Sequence, residues 1–94
     1  MRFEWDPAKA IANQRKHGVS FEQALFAFFD PFGRIELDVE HSEGEDRYWQ
    51  IGLTETGLLV VVYTIRQPGN IYRIITARKA DRKERKKYEN YKSI

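Results

Sequence analysis

Polar and hydrophobic positions in the first third of the chain follow the period of an α-helix. Asp6 and Pro7 are typical of a helix start, because a carboxylate accepts from unpaired backbone N–H groups and proline has no N–H to leave unpaired. This helix should end at Gly18. Ser20 begins a second predicted helix, which runs to Asp30 and is hydrophobic around most of its circumference. We therefore expect two N-terminal helices, with the second well buried.

After Pro31 the pattern changes to the two-residue alternation of β-strands. Strands are predicted at residues 34–40, 47–53, 58–66 and 71–78, and the third is hydrophobic on both faces, as expected of a central strand. Residues 3–5 alternate as a short edge strand would, and Asp81 begins a final helix. The pattern predicts an α+β fold with two N-terminal helices, a four-stranded, mostly antiparallel sheet and a C-terminal helix.

Composition limits the classes of protein to consider. Ninety-four residues make one domain, residues 1–94, and a hydrophobic fraction of 41% is adequate for a globular core. The chain has no cysteine and therefore no disulfide framework. No hydrophobic run approaches the ~20 residues that span a bilayer, and the N-terminus lacks the hydrophobic region of a secretory signal. We expect a cytoplasmic protein with no membrane association.

Charge is divided between two parts of the chain. Residues 30–55 contain eight acidic residues and two arginines, whereas residues 66–94 contain ten Lys or Arg and three acidic residues. A basic surface on a small domain attracts polyanions, nucleic acid above all. A basic helix is also often a solvated face without a ligand, so the charge alone leaves both interpretations open.

Strand pairing predicts a cluster of arginines on one face of the sheet. In the expected register Thr64 faces Arg47 on one neighbouring strand and Arg73 on the other. Arg66 then shares their face, whereas Arg78 falls on the opposite face unless a one-residue bulge brings it round. Clustered guanidinium groups need anions between them, either from the acidic loop or from a bound phosphate. Each arginine taken singly is more often the partner of a nearby carboxylate.

Two histidines and a tyrosine are candidates for proton transfer. His17 is predicted at a helix C-terminus, where the role is usually structural, and His41 lies in a polar loop as a possible general base or a simply exposed residue. Tyr88 either anchors the last helix or protonates a leaving group. No metal-ligand pattern, P-loop or nucleotide-binding glycine motif occurs, so we expect no metal and no organic cofactor.

Arginines and a proton-transfer group without a metal fit RNA cleavage by the substrate's own 2′-OH. The substrate then supplies the nucleophile, and the protein positions it, moves a proton and stabilises the charge that develops on phosphorus. Arginine suits the last task because its planar group binds two phosphate oxygens. DNA lacks the 2′-OH and would not be cleaved.

Nearly the whole sequence resembles the BrnT toxin family. The N-terminal motif, the acidic loop and the last strand motif are specific in combination, although each alone is weak. The matching segments are Phe3-Glu-Trp-Asp-Pro-Ala-Lys9 with Asn13, Lys16-His-Gly-Val-Ser-Phe21, Phe29-Asp-Pro31, His41-Ser-Glu-Gly-Glu45 with Arg47, and Arg73-Ile-Ile-Thr-Ala-Arg78 with Glu84, Arg85 and Tyr88. Thr76 departs mildly from the usual motif, in which serine is expected.

The resemblance implies a RelE-like fold and a ribonuclease toxin of a type II toxin–antitoxin system that inhibits translation. It also implies a hetero-oligomer with a BrnA-type antitoxin, which carries a ribbon-helix-helix domain and through which alone the toxin reaches promoter DNA. The implied catalytic residues are Arg66, Arg78, Arg73, His41 and Tyr88, and the implied RNA-binding residues are Lys9, His17, Arg47, Arg82 and Arg85. A non-catalytic nucleic-acid-binding module and a protein-interaction domain are the alternative functions.

Overall fold

A five-stranded mixed sheet forms the centre of the molecule. The computed structural model describes residues 1–92, and its strands are β1 (Arg2–Glu4), β2 (Arg34–Asp38), β3 (Arg47–Thr54), β4 (Gly57–Arg66) and β5 (Ile71–Lys79). They lie in the order β1-β5-β4-β3-β2, with β1 parallel to β5 and the other pairs antiparallel. The predicted α+β class is confirmed. The sheet has one strand more than the predicted four, because the short N-terminal segment pairs with β5.

Three α-helices flank the sheet within residues 1–92: α1 (Pro7–His17), α2 (Phe21–Ala24) and α3 (Arg82–Lys92). α1 is bounded as predicted, with an N-cap hydrogen bond to Asp6 and a left-handed φ of 70° at Gly18. The second helix is shorter than predicted, since Leu25–Phe29 is a 3₁₀ helix. There the backbone of Ala27 approaches Gly52 so closely that a Cβ on the glycine would lie 2.2 Å from the Ala27 oxygen. None of these helices is long and hydrophobic enough to cross a membrane.

The register of the three central strands agrees with the sequence prediction. Thr64 on β4 faces Arg47 on β3 and Arg73 on β5. Arg66 is two residues from Thr64 and therefore shares its face of the sheet. Three adjacent strands thus present basic side chains at the same end of one face.

A β-bulge in β5 changes the face of the residues that follow it. Ile75 has no partner on β4, so Arg78 faces Val60 and shares the face of Arg73. The bulge considered from the sequence is therefore present, and the placement of Arg78 on the opposite face is wrong. Val60 is four residues from Thr64, so Arg78 lies about 13 Å along the strand direction from the row that contains Thr64.

The sheet carries a hydrophobic cluster on each face. α2 and the 3₁₀ helix pack over one cluster, in which Phe21, Leu59 and Tyr63 are buried. α3 packs over the other, in which Val60 and Tyr88 are buried. α3 does not cover the end of this second face near Thr64, so that end is accessible to a ligand.

Asn13 fastens α1 to the edge of β5. Its Nδ2 donates to the carbonyl oxygens of Ala77 at 2.8 Å and Val19 at 3.0 Å, and its Oδ1 accepts from the Ala77 N–H at 3.1 Å. The buried side chain therefore satisfies backbone groups of β5 beyond the end of β1, where no strand pairs with them. Lys9 is one helical turn before Asn13 and is held beside the bulged part of β5.

Candidate active site

The end of the sheet beyond α3 forms a cleft of about 200 Å³. We call it the arginine cleft, because Arg47, Arg66 and Arg73 line it together with Thr64. The loop at residues 41–46 borders the cleft on the β3 side, and Lys9 of α1 borders it on the β5 side. The predicted convergence of these three arginines in one concavity is confirmed.

Cationic side chains outnumber anionic ones in the arginine cleft. Arg73 is paired with Glu4, its neighbour on β1, which holds the guanidinium in place. Among residues 1–92, neither Arg47 nor Arg66 has a carboxylate within ion-pair distance. Two glutamates of the 41–46 loop line the cleft without forming such a pair. Two guanidinium groups are therefore available to an anionic ligand.

Thr64 places an unpartnered hydroxyl between the arginines. The residue is 2% exposed, and its Oγ1 has no hydrogen-bond partner in the described part of the chain. A buried hydroxyl without a partner costs about 1–3 kcal/mol, so such groups are rare in folded proteins. Thr64 lies between Arg47 and Arg73 on the neighbouring strands and lines the arginine cleft with them.

His41 is the titratable ring of the arginine cleft, and a carboxylate orients it. Its Nδ1 lies 2.9 Å from Oδ2 of Asp38, which also accepts a hydrogen bond from Trp49 Nε1 at 2.9 Å. The Trp49 bond, opposed in part by burial and aided by His41, holds the pKa of Asp38 below its usual value. A fixed, ionised Asp38 favours the tautomer with hydrogen on Nδ1 and leaves Nε2 to exchange protons.

Asp38 was missed from the sequence. It was counted within an alternating strand, and its spacing of three residues from His41 was the signal that the two side chains meet across a turn. The 3₁₀ turn Val39–His41 brings them together. Thr64 was also missed as a site residue, because a hydroxyl in a hydrophobic strand is usually satisfied by its surroundings.

Arg78 lies outside the arginine cleft. Its guanidinium donates to both carboxylate oxygens of Glu84, at 2.7 and 2.8 Å, and lies 5.9 Å from the centre of the Trp49 ring. The hydrogen bond to Arg78, against an opposing effect of burial, lowers the pKa of Glu84, while the same contact raises the pKa of Arg78. An ion pair with Glu84 therefore holds Arg78 at the start of α3, outside the cleft that Arg66 and Arg73 line.

Tyr88 also lies outside the arginine cleft. It is 2% exposed, and its hydroxyl donates to Asp30 Oδ2 at 2.5 Å. Burial, with a further contribution from the Asp30 carboxylate, raises the pKa of Tyr88 to about 12. The structure thus places the tyrosine between α3 and the segment before β2, where it joins the two elements.

The remaining predicted RNA-binding residues are divided among three surfaces. Lys9 and Arg47 line the arginine cleft, and His17 lies in a neighbouring cleft that Lys9 also borders. Arg82 and Arg85 are exposed on α3 and line neither cleft. Within residues 1–92 no group of three or more His, Asp or Glu side chains is arranged to hold a metal ion.

Comparison with known proteins gives one match. No curated protein sequence matches the chain significantly. A family model described as ribonuclease toxin, BrnT, of type II toxin-antitoxin system matches residues 5–84, which include every residue that lines the arginine cleft. The chain therefore belongs to the BrnT family of ribonuclease toxins, whose members act within type II toxin–antitoxin systems and so have RNA as substrate and an antitoxin protein as partner.

Proposed function

We propose that the protein is a metal-independent endoribonuclease that cleaves RNA at the arginine cleft with the substrate's own 2′-OH as nucleophile. The observation that carries this proposal is the composition of the cleft. Arg47 and Arg66 have no carboxylate partner among the described residues, and they share the cleft with His41, which Asp38 orients. An anion-binding surface beside an oriented base is what this reaction requires.

The arginines bind the scissile phosphate and stabilise the transition state. Arg47 and Arg66 each offer a planar fork to the non-bridging oxygens, and Arg73 is held ready by Glu4. The Thr64 hydroxyl donates one further hydrogen bond from below. Because the backbones of these residues are fixed in neighbouring strands of one sheet, little backbone reorganisation is needed as charge develops on phosphorus.

Proton transfer is assigned to the two sides of the cleft. Nε2 of His41 accepts the proton of the 2′-OH as the 2′-oxygen forms its bond to phosphorus. The bond between phosphorus and the 5′-oxygen breaks, and the ammonium group of Lys9, on the β5 side, supplies the proton that this oxygen takes up. The products are a 2′,3′-cyclic phosphate and a 5′-hydroxyl. Arg78 and Tyr88 support this site from a distance by fastening α3 to the sheet.

Cleavage in a chelator tests the proposal. In EDTA the purified protein should degrade single-stranded RNA, and Arg66→Ala and Arg47→Ala should each reduce the rate at least a hundredfold, as for loss of an oxyanion donor. Lys83→Ala and Lys86→Ala, exposed basic residues of α3, are matched controls and should cleave like the parent. Equal activity in all four variants would overturn the site assignment.

The alternative function is RNA binding without turnover, which the same cleft would serve. It predicts saturable, salt-sensitive binding and no new RNA ends. A time course of RNA length at enzyme concentrations far below the substrate separates the two, since only an enzyme makes many cuts per molecule.

The antitoxin is proposed to be a BrnA-type protein whose ribbon-helix-helix domain carries the complex to promoter DNA. Its toxin-binding segment is proposed to place acidic side chains in the arginine cleft, where they would replace the RNA phosphate. We propose that the protein acts in the cytoplasm, where its RNA substrate and its antitoxin are both present. The affinity of the complex should fall steeply with added salt and fall again in Arg66→Ala, whereas an affinity indifferent to both changes would exclude this mode of neutralisation.

A further inference from the structure

A second cleft adjoins the arginine cleft between α1 and β5. Its volume is about 250 Å³, and Lys9 and Ile75 line both clefts. Ala12 and Ile75 give it a largely hydrophobic surface, and Lys16 and His17 lie at the C-terminal end of α1. In the described part of the chain neither Lys16 nor His17 forms an ion pair.

The backbone builds this second cleft. The bulge removes Ile75 from the strand ladder and turns it toward the space beside β5. The hydrogen bonds of Asn13 to Ala77 fix the distance between α1 and the strand. The separation of α1 from β5, which form the two walls of the cleft, is therefore fixed by the fold.

We propose that the second cleft is a base-binding subsite, which holds one unpaired nucleobase of the RNA next to the scissile phosphate. The inference rests on the proposed function, because it needs the phosphate in the arginine cleft. A base then lies against the surface of Ala12 and Ile75, and the next phosphate lies against Lys16 and His17. A hydrophobic surface between two cationic ones matches a base between two phosphates.

The distance along α1 favours an unstacked nucleotide. Lys9 and Lys16 are seven residues apart, which is about 10 Å along the helix. A stacked strand rises only about 3.4 Å per nucleotide, so a strand whose successive phosphates contact the two lysines is extended and unstacked at the nucleotide between them. An unstacked base is free to turn into the cleft, where polar side chains such as Thr76 and His17 can read its edge. The subsite therefore favours single-stranded over duplex RNA.

Binding of a short RNA tests the subsite without relying on cleavage. The probe is a fluorescent single-stranded oligonucleotide with one 2′-deoxy sugar at the cut site, compared with the same probe carrying an abasic nucleotide on either side in turn. For the parent protein we expect one of the two abasic probes to bind about tenfold more weakly, as for loss of one base contact. Equal affinity for all three probes would overturn the proposal.

Two variants test whether the affinity lost with the abasic probe comes from a contact in the second cleft. Ala12→Leu fills the cleft from an exposed helical position, and Lys16→Ala removes its far cation. Ala12→Leu should weaken the intact probe about tenfold and the sensitive abasic probe hardly at all, whereas Lys16→Ala should weaken both. Ala8→Leu and Arg15→Ala are matched exposed positions of α1 outside both clefts and should bind like the parent. Equal effects of Ala12→Leu on both probes would refute the subsite.

The outcomes separate this inference from the proposed function. If discrimination between the probes is present but the parent leaves unmodified RNA uncut in EDTA, the subsite stands and the catalytic proposal fails. If RNA is cut but neither abasic site matters, the catalytic proposal stands and the subsite fails.

Discussion

Replacing Thr64 with valine should make the protein more stable and less active. Valine has nearly the shape of threonine, and the change removes a buried hydroxyl that has no partner within residues 1–92. Most substitutions of a buried polar group lower stability because they break a hydrogen bond, and here there is none to break. The change therefore separates the effect of the hydroxyl on the free energy of unfolding from its effect on the cleavage rate.

The expected magnitudes follow from the position of Thr64. Relief of an unsatisfied hydroxyl gives about 1 kcal/mol in the free energy of unfolding, at the low end of the range for such groups. For a domain of this size that corresponds to a rise in Tm of roughly 4–8 °C. Loss of one neutral donor beside three guanidinium groups should reduce kcat about 10- to 100-fold, less than the loss of a main oxyanion donor.

Thermal unfolding and single-turnover cleavage of one RNA measure the two effects on the same samples. Thr64→Ser keeps the hydroxyl and should retain most of the activity. Thr54→Val is the opposite control: its hydroxyl donates to the Gly57 oxygen at 2.8 Å, far from the cleft, so its loss should lower stability and leave cleavage unchanged. A Thr64→Val protein that is less stable than its parent, or equally active, would refute the reasoning.

Four further predictions concern the supports of the site. Asp38→Asn should lower kcat at least tenfold and alter the pH–rate profile with little change in Tm, because His41 loses its orienting carboxylate; an unchanged profile would exclude His41 as the base. Arg78→Met should lower the unfolding free energy by about 2 kcal/mol in urea titrations yet leave kcat near that of the parent. Because the pKa of Glu84 is depressed in the folded state, its stabilisation is complete above the unfolded value near 4.5 and is lost as the pH falls through the folded value, so Glu84→Gln should flatten the acid limb of stability against pH. Asn13→Leu should cost about 3 kcal/mol by leaving three buried backbone groups unpaired, and a cost below 1 kcal/mol would contradict the role given to Asn13.

The strand register was predictable because two local signals agree on it. The loop at 67–70 and the turn at 54–57 fix which residues meet, and a shift by one residue would expose the hydrophobic face. That agreement is sufficient to place Arg47, Arg66 and Arg73 on one face of the sheet. The α1 boundaries were predictable for a similar reason, since Asp6 and Gly18 act within one turn of the helix.

The features that sequence did not predict depend on contacts between distant segments. The 3₁₀ helix forms because Ala27 packs against Gly52, and the edge strand indicated at residues 3–5 pairs with β5, a partner that its alternation does not identify. The buried hydrogen bonds of Asn13 join residues 64 positions apart. Only a three-dimensional arrangement reveals such pairs, and they are the contacts that shape the two clefts.

The ion pair between Arg78 and Glu84 was not evident from the sequence, because Glu84 also fits a capping box with Asp81. Asp81 and Glu84 have the spacing of a capping box, and their reciprocal hydrogen bonds at 2.8 Å form one. The same glutamate also binds Arg78, which the family resemblance had placed among the catalytic residues. The spacing rule identifies one partner of Glu84, the backbone of Asp81, and does not identify Arg78 as the second.

Cleavage of an RNA with one 2′-deoxy sugar tests the central claim most directly. The cut position is first mapped on unmodified RNA in EDTA, and the same RNA is then made with deoxyribose on the 5′ side of that bond. The account predicts that cleavage stops at this position alone, and that unmodified RNA yields a 2′,3′-cyclic phosphate. Cutting at the deoxy position with an unchanged rate would contradict it, because the arginine cleft would then be activating water and not the ribose hydroxyl.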